Sequence, residues 1–136
     1  MLEEKKLILC VEDKNELRKD LIDEFRSNGY LAIEAKNGEE AIKILESVIP
    51  DIIVSDLKMP IMDGYELIEK IRARKDSIAS IPVIFLSAYS DRHLILRGFE
   101  KGIEDYICKP IDFDILIAKI KAILKRAGKN VNLSDN

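Results

Sequence analysis

Five short apolar runs rich in β-branched residues, spread along the whole chain, most constrain how this sequence can fold. Short runs of this kind, bounded by polar or turn-forming residues, are typical of β-strands. The middle runs are almost wholly apolar, which is the pattern of strands buried on both faces of a sheet. We predict strands over residues 7–11, 31–35, 52–55, 83–87 and 106–108.

The segments between and after these strands have the apolar spacing of helices. Leu17, Leu21 and Phe25 recur every four residues, which predicts the first helix. Apolar residues at helical spacing in the later segments are Ala41, Ile44, Leu45 and Val48; Leu67, Ile68 and Ile71; Leu94, Ile95 and Phe99; and Phe113, Leu116, Ile117, Ile120 and Leu124. Strands that alternate with helices predict an α/β protein of five βα units, with a parallel sheet covered on both faces.

Polar residues and glycines mark the ends of the predicted helices. Asn37 and Asp63 stand at N-cap positions with a glutamate three residues later, and Asp112 precedes the last helix as a lone cap. Gly29 and Gly102 follow the first and fourth helices, where glycine commonly ends a helix. We expect Asp63 to act as a helix cap.

Length and charge favour a single domain. The chain has 136 residues, the size of one ordinary domain, and we expect that domain over 1–126, with 127–136 as a polar tail or the start of a linker. Lys and Arg number 22 and Asp and Glu number 25, for a net charge of −3. This balance does not favour binding to a phosphate backbone, so we expect no direct nucleic acid binding.

Cysteine, histidine and hydropathy patterns exclude several classes of site. Cys10 and Cys108 lie in predicted strands, and we expect both to pack in the core as small apolar residues. The chain has no CxxC motif and a single histidine, His93, which argues against a zinc site. No apolar run approaches the length of a membrane span, and the start MLEEKK is unlike a signal peptide. We expect a cytoplasmic protein without membrane contact.

Polar residues end the predicted strands. Glu12 and Asp13 follow the first strand, Asp56 the third, Ser87 the fourth and Lys109 the fifth. The carboxyl ends of parallel strands form the crevice in which open α/β sheets bind ligands. We therefore expect these five side chains to meet in one place.

Three carboxylates, a hydroxyl and an ammonium group form a definite chemical set. Neighbouring carboxylates repel one another unless a cation relieves them, and oxygen ligands with room for water suit Mg²⁺. Asp56 stands alone at its strand end, where it can act as a carboxylate nucleophile that accepts a phosphoryl group. Ser87 and Lys109 would hydrogen-bond or neutralise the phosphoryl oxygens.

Taken together in this order, these residues resemble the receiver domain of bacterial response regulators, over roughly residues 6–126. The carrying motifs are the acidic pair Glu12-Asp13, the segment DLKMPIMDG at 56–64, Ser87-Ala88, the aromatic Tyr106 and Lys109-Pro110. The resemblance implies a doubly wound, flavodoxin-like (βα)5 sandwich of three layers with strand order 2-1-3-4-5. It also implies a phosphoacceptor protein of a two-component system, and not an enzyme acting on external substrates.

The same resemblance implies a role for each site residue. Asp13, Asp56 and the backbone carbonyl of Lys58 would bind Mg²⁺, with Glu12 acting mainly through water. Asp56, Ser87 and Lys109 would carry phosphoryl transfer, and Lys109-Pro110 would be a cis peptide. Ser87 and Tyr106 would form a switch that changes the surface of the fourth helix, fifth strand and fifth helix.

The expected partners are a sensor histidine kinase or phosphotransfer protein, and a downstream protein or an output domain outside this sequence. The fourth helical segment supports a docking role, because Leu94, Ile95, Leu96 and Phe99 give it more apolar surface than one buried face needs. Lys58 and Tyr89 lie beside the predicted crevice, where either could influence dephosphorylation.

One alternative is a phosphohydrolase of the haloacid-dehalogenase kind with Asp56 as nucleophile. Such enzymes use a second aspartate two residues after the nucleophile, and that position here is Lys58.

Overall fold

Five strands and five α-helices alternate along the chain. The computed structural model describes residues 4–134 and the side chains of residues 4–128. The elements are β1 (Leu7–Val11), α1 (Asn15–Ser27), β2 (Leu31–Ala35), α2 (Gly38–Leu45), β3 (Ile52–Asp56), α3 (Gly64–Arg72), a 3-10 turn (Ser77–Ser80), β4 (Val83–Ser87), α4 (Arg92–Lys101), β5 (Asp105–Cys108) and α5 (Phe113–Ser134). All five predicted strands are present, and two of them gain one residue, Asp56 in β3 and Asp105 in β5.

The strands form one sheet in the order β2-β1-β3-β4-β5, and every neighbouring pair is parallel. This confirms the expected doubly wound fold. The chain runs from β1 outward to β2 and then crosses back to β3, so the strand order reverses beside β1 and β3. A crevice at the carboxyl ends of the strands on either side of such a reversal is the usual ligand site of these sheets.

Two apolar layers hold the helices on opposite faces of the sheet. On one face, Leu9, Val11, Ile53 and Phe85 of the strands pack with buried residues of α2 and α3. On the other face lie the strand residues Ile8, Cys10, Ile52, Val54, Ile84 and Leu86, which pack with α1 and α5. Because β1, β3 and β4 are covered on both faces, they are apolar at nearly every position, as the sequence indicated.

The predicted helix signals are confirmed. The side chains of Asn37, Asp63 and Asp112 each accept a hydrogen bond from the backbone N–H three residues later. Gly29 and Gly102 follow α1 and end α4 with φ of +90° and +104°. These φ values favour glycine, because a Cβ is strained in that region.

One predicted core residue is exposed. Cys108, expected in the core, is exposed because β5 is an edge strand with no neighbour on its outer side. The excess apolar surface expected on α4 is exposed in part, since Phe99 is 44% exposed and Leu96 is 45% exposed. The one fully buried residue of α4 is Gly98. This helix therefore rests on the core through a small contact and presents apolar surface outward.

The last helix is longer than its apolar spacing indicated. α5 continues past Arg126 to Ser134, whereas residues 127–136 were expected to form a polar tail. The expected domain boundary at 126 stays a prediction, and residues 135–136 lie outside the described part of the chain. Within that part, no helix combines the length and the apolar character that crossing a membrane requires.

Candidate functional site

The polar residues predicted at the strand ends lie together at one edge of the sheet. Glu12 directly follows β1, Asp56 ends β3, Ser87 ends β4 and Lys109 directly follows β5. The strand registers bring these ends level, since Asp56 is paired with Leu86 and Ser87 with Cys108. A cavity of about 170 Å³ opens there, lined by Asp13, Lys14, Asp56, Lys58, Ser87, Ala88, Tyr89 and Lys109.

Lys109 joins two of the acids. Its Nζ lies 3.2 Å from Glu12 Oε1 and 3.4 Å from Asp56 Oδ1. Glu12 is fully buried, and Asp56 and Ser87 are nearly so. Buried ion pairs of this kind depend on both partners, because removal of one leaves an uncompensated charge in a poorly solvated place.

The Asp56 carboxyl has a pKa close to neutral pH. Burial raises its pKa, and the neighbouring Glu12 and Asp13 carboxylates raise it further, while Lys109 lowers it, so that the pKa reaches about 7. One lysine therefore does not fully compensate the three acids. A group in this state gains from any further cation placed beside it.

This pKa gives a pH dependence in the metal-free protein. The Asp56 pKa is about 7 when folded and about 4 in an unfolded chain, so the protonated carboxyl favours the folded state. That stabilisation is fully present below about pH 4 and is lost as the pH rises through about 7. Asp56→Asn removes the titrating group. We expect this variant to gain stability relative to wild type as the pH rises, by about 2 kcal/mol at about pH 8 after allowance for solvent screening.

Urea unfolding of both proteins in EDTA, from about pH 5 to about pH 8, measures this difference in the free energy of unfolding. A difference that is the same at every pH would contradict the prediction.

The donor set fits a hard divalent cation. Glu12, Asp13 and Asp56 each offer a carboxylate oxygen within 4.8 Å of the other two, and no other cluster of this kind occurs in the described part of the chain. Asp13 Oδ1 is buried and has no hydrogen-bond partner among the described residues. A buried carboxylate oxygen is costly without a partner, so this atom is suited to bind a metal ion.

The loop after β3 closes one side of the cavity. Gly64, the first residue of α3, packs so tightly that a Cβ there would lie 3.0 Å from the backbone oxygen of Asp56. A glycine is therefore needed for α3 to begin directly against the end of β3. In the same loop, the Lys58 side chain is exposed and its Nζ lies 5.8 Å from the centroid of the Tyr89 ring. These two side chains flank the mouth of the cavity.

Ser87 and Tyr106 are connected through the backbone of Tyr89. The Tyr89 N–H donates to Ser87 Oγ at 3.0 Å, and the Tyr106 hydroxyl donates to the Tyr89 carbonyl at 2.6 Å. Burial raises the pKa of the Tyr106 hydroxyl, which keeps it protonated as a donor. The segment after β4 thus links the cavity to the half-buried ring on β5. Lys109-Pro110, which follows β5, is a cis peptide, as expected.

Comparison with known proteins identifies this arrangement. The family model described as the response regulator receiver domain matches residues 8–121. The chain belongs to the receiver domain family of response regulators. The signal receiver domain of a signal transduction histidine kinase from Syntrophus aciditrophicus is 36% identical, with a TM-score of 0.82 over 88% of this chain and 90% of that one.

Curated relatives of this receiver domain are named as transcriptional regulators. A probable transcriptional regulator ycf27 of Guillardia theta is 38% identical over 94% of this chain and 49% of its own length. The transcriptional regulatory protein AfsQ1 of Streptomyces coelicolor is 35% identical over 90% of this chain and 52% of its own length. The chain thus spans about half the length of these relatives. The receiver-domain match over residues 8–121 sets aside the phosphohydrolase alternative.

The sequence analysis missed one residue beside the acids of this receiver domain. Arg18 of α1 is buried and donates to the backbone carbonyl of Glu12 at 2.9 Å. A signal was present, because Arg18 stands four residues before Ile22, which is buried, and so shares a helix face with it. An arginine on the buried face of an amphipathic helix needs polar partners, and one of them here is the Glu12 carbonyl at the acidic site.

Proposed function

We propose that this receiver domain accepts a phosphoryl group on Asp56 from a sensor histidine kinase, a phosphotransfer protein or a small phosphodonor, with Mg²⁺ bound beside it. The observation that carries the proposal is the Asp56 carboxylate, which lines the cavity within 4.8 Å of carboxylate oxygens of Glu12 and Asp13 and 3.4 Å from Lys109 Nζ. An Asp56 oxygen attacks phosphorus, the bond from phosphorus to the donor breaks, and the donor leaves with that bonding electron pair.

Each residue has a defined role in the proposal. Asp13, Asp56 and the Lys58 carbonyl hold Mg²⁺, and Glu12 acts mainly through water. The bound cation supplies positive charge that offsets the charge developing on the phosphoryl oxygens. Lys109 stands 3.4 Å from Asp56 Oδ1, where it can neutralise one of those oxygens, and Ser87 Oγ can hydrogen-bond another.

The signalling step follows from the Ser87 and Tyr106 connection. When Ser87 turns toward the phosphoryl group, its contact with the Tyr89 segment changes, and Tyr106 can occupy the space that it leaves. The surface formed by α4, β5 and α5 then changes, and with it the exposed Leu96 and Phe99. We propose that a downstream protein or an output domain binds this surface. We also propose that the receiver domain covers 1–126 and that the protein acts in the cytoplasm.

Mass spectrometry of the intact protein tests the phosphoacceptor function. With Mg²⁺ and acetyl phosphate the chain should gain the mass of one phosphoryl group, and it should gain nothing when EDTA replaces Mg²⁺. Lys58 stands where a phosphohydrolase would need its second aspartate, so steady hydrolysis of a generic phosphomonoester should be absent. Steady hydrolysis, or a mass gain independent of the metal, would contradict the proposal.

Hydrogen exchange tests the signalling surface. Beryllofluoride with Mg²⁺ mimics the phosphoryl group, and we expect it to change amide exchange in α4 and β5 as well as at the cavity. Changes confined to the cavity would contradict the proposed switch.

A further inference from the structure

Arg18 is a buried cation, and each of its three guanidinium nitrogens donates to a polar partner. Its side chain is 7% exposed. Nη1 donates to the Glu12 carbonyl at 2.9 Å, Nε to Glu34 Oε1 at 3.1 Å, and Nη2 to Asn15 Oδ1 at 2.7 Å. A buried charge is stable only when paired and hydrogen-bonded, and the planar guanidinium fixes the relative positions of its three partners. Arg18 therefore joins the end of β1 to β2 and to the first turn of α1.

The hydrogen bond from Arg18 to the Glu12 carbonyl also fixes the backbone of Asp13. That carbonyl belongs to the planar peptide group that also contains the Asp13 nitrogen and Cα, so its direction sets where the Asp13 side chain begins. The rest of Glu12 is fixed as well, since its N–H donates to the Ala35 carbonyl at 3.0 Å and its Oε2 accepts from the Lys14 N–H at 3.1 Å.

In the described part of the chain, the Asp13 side chain lacks hydrogen bonds of the kind that hold Glu12. Its Oδ1 is buried without a hydrogen-bond partner among the described residues. The position of this oxygen is therefore set by the backbone to which it is attached. Arg18 holds that backbone through the Glu12 carbonyl and is not among the residues that line the cavity.

We infer that Arg18 is a positioning residue for the metal site, which directs Asp13 Oδ1 toward the cation by fixing the Glu12–Asp13 peptide group. The inference rests on the proposed function for the identity of the cation. Groups that orient metal ligands without touching the metal typically change metal affinity by about 10- to 100-fold when they are removed.

A second arginine of α1 provides a matched control. Arg26, in the last turn, donates to the backbone carbonyl of Ala32 in β2 at 3.0 Å. Like the bond from Arg18 to Glu12, it joins a guanidinium of α1 to a backbone carbonyl. Arg26 does not contact the acids, so Arg26→Met reports the effect of losing an arginine bond alone.

The experiment measures the dissociation constant of Mg²⁺ alone, by amide chemical shifts, for wild type, Arg18→Met, Arg18→Lys and Arg26→Met. We expect Arg18→Met to weaken Mg²⁺ binding by about 10-fold or more, and Arg18→Lys to recover part of the loss, because lysine keeps the charge but cannot reach three partners. Arg26→Met should leave the constant within about twofold of wild type. If Arg18→Met does not fold, Arg18→Lys carries the test with an intermediate loss.

A metal-free measurement separates this inference from the proposed function. In EDTA, Arg18→Met, or Arg18→Lys if Arg18→Met does not fold, should speed amide exchange at Asp13 and Lys14, whereas Arg26→Met should not. Unchanged exchange there, wild-type Mg²⁺ affinity in the Arg18 variant tested, or equal weakening by Arg26→Met would overturn the inference. Wild type that fails to bind Mg²⁺ while the exchange result holds would contradict the proposed function and leave the positioning role standing.

Discussion

Asp56→Asn is expected to lose phosphorylation by Mg²⁺ and acetyl phosphate, with the rate reduced by at least about a thousandfold. The amide has nearly the shape of the carboxyl but carries no negative charge and is a poor nucleophile toward phosphorus. The change also removes one of the three acids that lie within 4.8 Å of one another, so Mg²⁺ binding should weaken. The rate of mass gain of the intact protein measures the effect.

Asp63→Asn is the control for that experiment. Asp63 lies in the same loop, and its side chain caps α3 by accepting from the Glu66 N–H at 3.0 Å. Asparagine caps a helix as well as aspartate does, so this variant should fold and be phosphorylated as wild type is. If Asp63→Asn lost phosphorylation while Asp56→Asn retained it, the assignment of Asp56 as the phosphoacceptor would be wrong.

The second large effect is expected for Lys109→Met. Methionine keeps the unbranched apolar stem of the side chain but leaves Glu12 and Asp56 without the ammonium group that lies 3.2 and 3.4 Å from them. Loss of one group that stabilises a developing charge typically slows transfer by about 100- to 1,000-fold. Because Asp56 itself stays in place, Mg²⁺ should still bind while the rate of phosphorylation falls. Titration with Mg²⁺ and the rate of mass gain together show this separation.

Lys119→Met provides the comparison for Lys109→Met. Lys119 of α5 pairs with Asp105 of β5 at 2.7 Å, outside the acidic cavity. A partly exposed pair of this kind contributes at most about 1 kcal/mol, so the variant should remain folded and keep its rate of phosphorylation. An equal loss of rate in both lysine variants would contradict the role given to Lys109.

The fold was predictable because its main signals are local. Short apolar runs and helical spacing gave the order of elements, and Asn37, Asp63 and Gly102 marked helix ends through bonds within a few residues of themselves. What escaped prediction depends on neighbours in space. Cys108 is exposed because β5 has an open edge, and α4 meets the core through Gly98, a contact that apolar spacing does not indicate. The 3-10 turn at Ser77–Ser80 is too short to have a period.

The sequence allowed a prediction of which side chains lie together at the candidate site. Parallel strands bring their carboxyl ends to one edge, so Glu12, Asp56 and Lys109 could be placed together from strand order alone. The buried role of Arg18 was missed, because an arginine in an amphipathic helix usually faces water and only its spacing to Ile22 indicated otherwise. Sequence spacing also could not predict that Asp13 Oδ1 is buried without a hydrogen-bond partner among the described residues, because this depends on how the turn after β1 is held.

The position of the phosphoryl group after reaction decides whether Asp56 is the phosphoacceptor. Protein treated with Mg²⁺ and acetyl phosphate can be reduced with borohydride, which converts an aspartyl phosphate to homoserine, and peptide mass spectrometry then locates that residue. If Asp56 is the phosphoacceptor, we expect homoserine at position 56 and nowhere else. Homoserine at another aspartate, or a stable phosphoryl group on a residue outside the cavity, would contradict it.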